Sequence, residues 1–221
     1  MVLGTAHSDR FGQPWAAVTA LVAAEGAAHE PFATALLSPA ASMRDLADAV
    51  HCLCLLHGRH PGIVEFAESR ATDPVAAAWL GEVVEAFAGE RASLVRLVAA
   101  VGPLPSTPGQ AETESAIAGQ RHALDMLAGS DRAGCPIGAA MALMLDWPVI
   151  RAVLDSVAER IGVDLPVGAL PQHRDSATVI ATLAETVAFE RAMLFGAQQL
   201  LAQHHALWQL LEARSVARAT L

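Results

Sequence analysis

The sequence predicts an all-α protein: an antiparallel helical bundle of about seven helices around a central apolar helix. Three observations predict it. Capping residues and Pro stand together at a series of helix starts, as in Ser38-Pro39, Asp73-Pro74 and Thr107-Pro108. Gly or Gly-Pro stops follow them, at Gly58, Val101-Gly102-Pro103, Gly129 and Gly162. No segment alternates β-branched and polar residues with period two, so no sheet is expected.

Read in order, the starts and stops place helices at roughly 14–37, 39–58, 74–101, 108–128, 133–146, 147–161 and 177–214. The first begins after Gln13-Pro14. The second and third follow Ser38-Pro39 and Asp73-Pro74. For the fourth, Thr107 and Gln110 predict a capping box. The fifth, Gly134 to Leu145, has no polar face, and such a helix belongs at a bundle centre or an oligomer interface. Its Gly138, Ala139, Ala140 and Ala142 allow neighbours to approach closely. Asp146-Trp147-Pro148 reads as a cap opening the sixth helix, with Ile150, Val153, Leu154, Val157 and Ile161 on its inner face. The loops 102–110 and 163–176 are short enough to keep residues 1–221 in a single domain.

Composition narrows the function classes. The chain of 221 residues has a net charge of -9 and a pI near 5.4, with no Lys, Asn or Tyr. Those three have AT-rich codons, so the Ala- and Arg-rich composition follows from GC-rich coding as readily as from helix preference. An acidic chain without an Arg cluster argues against nucleic-acid binding. Mean hydropathy is +0.38, yet the most apolar run, Ala133 to Leu145, falls short of the ~20 residues a membrane span needs. A longer uncharged run, Ala192 to Leu211, is interrupted by Gln198, Gln199, Gln203, His204 and His205. No signal-peptide pattern stands at the N-terminus. The expectation is a cytoplasmic protein that does not enter a membrane and forms a homo-oligomer. Cys52, Cys54 and Cys135 are too few for a disulfide framework and read as packed thiols.

Polar residues on apolar helix faces carry the chemistry. A carboxylate facing a core costs several kcal/mol unless it is paired, protonated or metal-bound. Winding the helices at ~100° per residue puts Glu25 and His29 on the stripe of the first, one turn apart. Glu90 and Arg91 flank the stripe of the third, and Glu190 and His204 lie near that of the last. His57 and His204 are set apart by depth: His57 is near a helix end, and His204 is ~21 Å along the axis from Glu190. His122 reads as a surface residue, and Gln120 as a core residue bonding across the bundle.

The inward set Glu25, His29, Glu90 and Glu190 resembles that of the ferritin-like di-metal carboxylate bundles. The resemblance implies carboxylate ligands from Glu25, Glu90 and Glu190, an imidazole ligand from His29, bound iron or manganese, and oxidoreductase chemistry. Glu-x-x-His, the spacing of that family, does not occur here. Glu25-x-x-x-His29 is one residue longer, and Asp48-x-x-His51 turns away from the stripe. The competing reading is a non-enzymatic oligomerisation or interaction module in which the inward Glu residues pair with Arg91 and Arg191. That reading expects Arg91 in contact with a buried Glu. A third is a small apolar ligand held between helices.

Overall fold

The computed structural model describes residues 13–132, 134–171 and 186–220, and among them there is helix but no strand. Eight α-helices are described: α1 (Gln13–Glu25), α2 (Pro31–Leu36), α3 (Met43–His57), α4 (Ile63–Arg70), α5 (Pro74–Val101), α6 (Gln110–Ala128), α7 (Gly134–Ile161) and α8 (Val187–Ala219). A 3-10 turn, Ala27–His29, links α1 to α2.

The apolar segment lies at the centre, as expected. Every described residue from Gly134 to Met144 is buried, and α7 touches each of the other seven helices. Its most extensive partner is α8, and small residues let the two backbones meet. A Cβ on Gly138 would stand 2.0 Å from the Met193 carbonyl oxygen, and one on Gly196 would stand 2.0 Å from that of Cys135. No side chain fits in either gap.

The fifth and sixth expected helices are one. Asp146-Trp147-Pro148 does not cap a new helix, because α7 continues through an internal, exposed Pro148 to Ile161. A Pro in a helix interior costs roughly 3 kcal/mol. Burial of Trp147, Ile150, Val153, Leu154 and Val157 on either side offsets that cost. At 28 residues, α7 is long and apolar enough to cross a bilayer, which overturns the length argument based on Ala133 to Leu145. Its most apolar 18-residue window is 78% buried inside the bundle.

The first expected helix is instead broken. Backbone capture is the physical reason: Asp146 Oδ1 accepts a 2.6 Å hydrogen bond from the Ala27 N–H. A Cβ on Gly26 would come within 2.6 Å of that same oxygen. Pro31 then starts α2 at its first turn.

Two caps move as well. Ser42, not Ser38, caps α3 through Asp45 N at 3.0 Å, and Thr107 leaves its expected capping box to serve a buried cluster described below. Asp73 caps α5 as expected, accepting from Val75 N and Ala76 N. The short α4 falls between the second and third expected helices, where no helix was expected, and Glu65 fixes its start by accepting the Gly62 N–H at 2.6 Å. The last helix was expected from 177; residues 172–185 lie outside the described residues, and α8 runs on to Ala219.

Candidate functional site

The broken first helix decides the fate of two expected ligands. Glu25 ends α1 and His29 closes the 3-10 turn, so the one-turn register between them is lost and both are exposed. They line a surface groove with Glu30 and His205, which pair at 2.5 Å. Glu90 is buried, as expected. Glu190 is half-buried in the first turn of α8. The four are not gathered around one point, and no group of three or more His, Cys, Asp or Glu side chains is placed to hold a metal among the described residues.

Glu90 is held by one cation and an indole. Arg151, one turn beyond Trp147 on α7, donates to both its carboxylate oxygens at 2.8 and 3.0 Å, and Trp147 Nε1 donates at 2.9 Å. Arg91 pairs with the carboxylate of Glu65 on α4 rather than with its sequence neighbour. Arg91 therefore contacts a half-buried Glu, where contact with a buried one was expected. Arg191 is exposed, as is His122. Gln120 is buried, but its Oε1 has no hydrogen-bond partner, contrary to the expected bond across the core.

The two histidines that depth set apart meet in the core. His57 is 6% exposed and His204 is 2% exposed, and their Nε2 atoms are 2.9 Å apart. His204 Nδ1 lies 2.6 Å from Asp146 Oδ2. Asp146, expected to be a helix cap, is thus the buried end of a chain running Asp146, His204, His57, its second oxygen held by the Ala27 amide. His57 does close α3 and His204 does lie far along α8 from Glu190, as expected; the C-terminus of α3 docks against the middle of α8, which neither residue's place along its own helix specifies.

Aromatic rings wall this chain. Trp147 meets His57 edge-on with centroids 5.7 Å apart, and Phe87 packs edge-on against both rings. Glu90 therefore acts on the site indirectly, by fixing the Trp147 indole. Burial, then the neighbouring His204 and Arg91, hold the His57 imidazole well below its ordinary pKa. It is neutral at pH 7. His57 Nδ1 makes no hydrogen bond with a described residue. The ring lines a cavity of about 30 Å³ between α3, α5, α6 and the turn at Pro61, together with Arg59, Arg91 and Arg121.

A second buried network lies at the other end of α3. Asp48, fully buried rather than turned outward, receives Arg214 Nε at 2.7 Å and Nη2 at 2.8 Å in a fork, and Arg218 Nη1 at 2.6 Å. Thr107, Thr113 and Asp45 accept further guanidinium hydrogens. Burial, and next the Asp48 charge, push the Cys52 thiol up to about 12, so it is inert.

A model of one protein family matches residues 22–219, nearly the whole chain. The chain belongs to DUF6975, a family of unknown function. Comparison with curated proteins and with solved structures gives no match. The matched segment contains His57, Asp146, His204 and Arg91, but the family description assigns them no role.

Proposed function

We propose that this protein performs proton-transfer chemistry on a small ligand, with His57 as the base. The observation that carries the reading is the buried chain Asp146–His204–His57, ending at a cavity. Asp146 is acceptor-only when ionised, so the proton on His204 Nδ1 points to it. With His204 neutral, its Nε2 is an acceptor, and the His57 Nε2–H donates to it. That leaves Nδ1 of His57 unprotonated, on a ring that lines the cavity.

Proton uptake then follows the hydrogen bonds. A proton arriving at His57 Nδ1 is balanced by passage of the His57 Nε2 proton to His204 Nε2. Both rings keep their places, and the positive charge comes to rest on His204, against the Asp146 carboxylate. Two features favour that end point. A charge on His57 is disfavoured chiefly by burial and also by Arg91, whereas His204 has a carboxylate at 2.6 Å. His204 and Asp146 are positioning residues in this reading. Trp147 and Phe87 exclude water from the relay.

Long-range proton–nitrogen NMR of the histidine rings tests the reading. At pH 7.5, His57 is expected to be neutral with its proton on Nε2, and His204 to carry its proton on Nδ1. Asp146→Asn should change the His204 tautomer, and with it that of His57. A His57 that titrates like an exposed histidine, or that keeps its tautomer in Asp146→Asn, removes the reading.

A further inference from the structure

The cavity beside His57 has a charge surplus that the relay does not use. Three guanidinium groups, Arg59, Arg91 and Arg121, line it together with one carboxylate, Asp125. Arg59 is 4.0 Å from Asp125, and Arg91 is paired with Glu65. Arg121, half-buried on α6, makes no ion pair with a described residue. The group therefore carries one positive charge more than its partners neutralise, since His57 is neutral.

Arg91 adds an independent observation. It is 6% exposed, and its Nε and Nη1 have no hydrogen-bond partner, although both are buried. Its guanidinium lies over the Phe87 ring at 5.0 Å, which holds the plane in position. Buried N–H groups of a cation are almost always satisfied, so two on one side chain mark a place for an acceptor. Nε and Nη1 lie on opposite edges of the guanidinium, with the Glu65-bound Nη2 between them. Both nitrogens are closed to water, so an acceptor reaches them only once this side chain shifts.

Cavity size selects the ligand class. One water needs roughly 10–15 Å³ on this measure, so about 30 Å³ accommodates two waters or the three heavy atoms of a carboxylate. We propose that the cavity binds the carboxylate group of a small organic acid, held by Arg91 and Arg121 next to His57. This rests on the proton-transfer reading only for what happens next to the bound acid; binding itself needs only the guanidinium groups.

Acetate is the probe, with chloride and phosphate at equal ionic strength as the comparison anions. Acetate is expected to raise the melting temperature saturably and to shift the His57 ring resonances, while chloride does neither. Arg121→Gln, at a half-buried position outside any ion pair, is expected to weaken acetate binding at least tenfold and leave the apo melting temperature unchanged. Arg91→Gln should abolish binding. Three results overturn the proposal: no saturable acetate effect, an equal effect in Arg121→Gln, or tighter binding of phosphate than of acetate. The NMR spectra separate the two readings. Relay tautomers as expected with no acetate response remove the carboxylate site alone, whereas acetate binding beside a His57 with the wrong tautomer removes the relay alone.

Discussion

Around Asp48 every carboxylate oxygen and every nitrogen of Arg214 ends on a partner, whereas around His57 the hydrogen bonds run in one line and stop at a cavity. Both networks tie α3 to α8, one near each end of α3, and both are deeply buried. The Asp48 cluster balances two arginines with two aspartates and two threonines. Such closure fixes the register between helices and leaves no group free for a ligand. The His57 network instead has a depressed base, an Nδ1 without a hydrogen bond among the described residues and an arginine with two buried N–H groups likewise unpartnered. Buried polarity with an open valence is what a reactive site needs, and it is absent from the other cluster.

Breaking the closed cluster should give the largest effect. Asp48→Ala strands Arg214 and Arg218 in the core, and equilibrium urea unfolding should show a loss of about 3–5 kcal/mol. The near-isosteric Asp146→Asn should cost less, about 1–3 kcal/mol, because it replaces a charged acceptor while keeping the volume. A loss at Asp146 as large as that at Asp48 would show that the relay is a structural keystone like the cluster.

Acid stability sharpens the contrast. The folded pKa of His57 is lowered, so between its unfolded value of about 6.5 and the folded value the unfolded chain binds a proton that the native chain refuses. His57 therefore subtracts nothing from stability above about pH 6.5 and destabilises progressively below it. The slope is at most about 1.4 kcal/mol per pH unit. Wild type measured against His57→Phe should lose ground as pH falls below about 6.5; a difference independent of pH would mean that the ring titrates normally. The smallest effects should come from Glu25→Ala and His29→Ala. Both residues are exposed, and each change is expected to stay within about 0.5 kcal/mol in thermal unfolding.

Much of the candidate site was present in the sequence as residue types but not as a set. Inward-facing His57 and His204 were visible on their stripes. Their meeting depends on how the end of α3 docks against the middle of α8, which no local signal specifies. Asp146 looked like a cap because Trp147-Pro148 follows it, and a Pro at the first helical turn has the same local signature as a Pro inside a continuous helix. Glu25 and His29 looked inward because the periodicity was carried through Gly26 and Pro31, two residues that already marked the break.

Periodicity, caps and stops, all local in the chain, determined the helical class, the central place of Gly134 to Met144, the close-approach role of Gly138 and the buried state of Glu90. Tertiary structure decided which buried charges share a partner: Glu90 with Arg151, Arg91 with Glu65, Asp146 with His204 and the Ala27 amide. The reason is range. Helix formation is governed by neighbours three or four residues away, whereas these pairings join residues 26 to 119 positions apart, and only packing of one helix against another brings their atoms within hydrogen-bond distance.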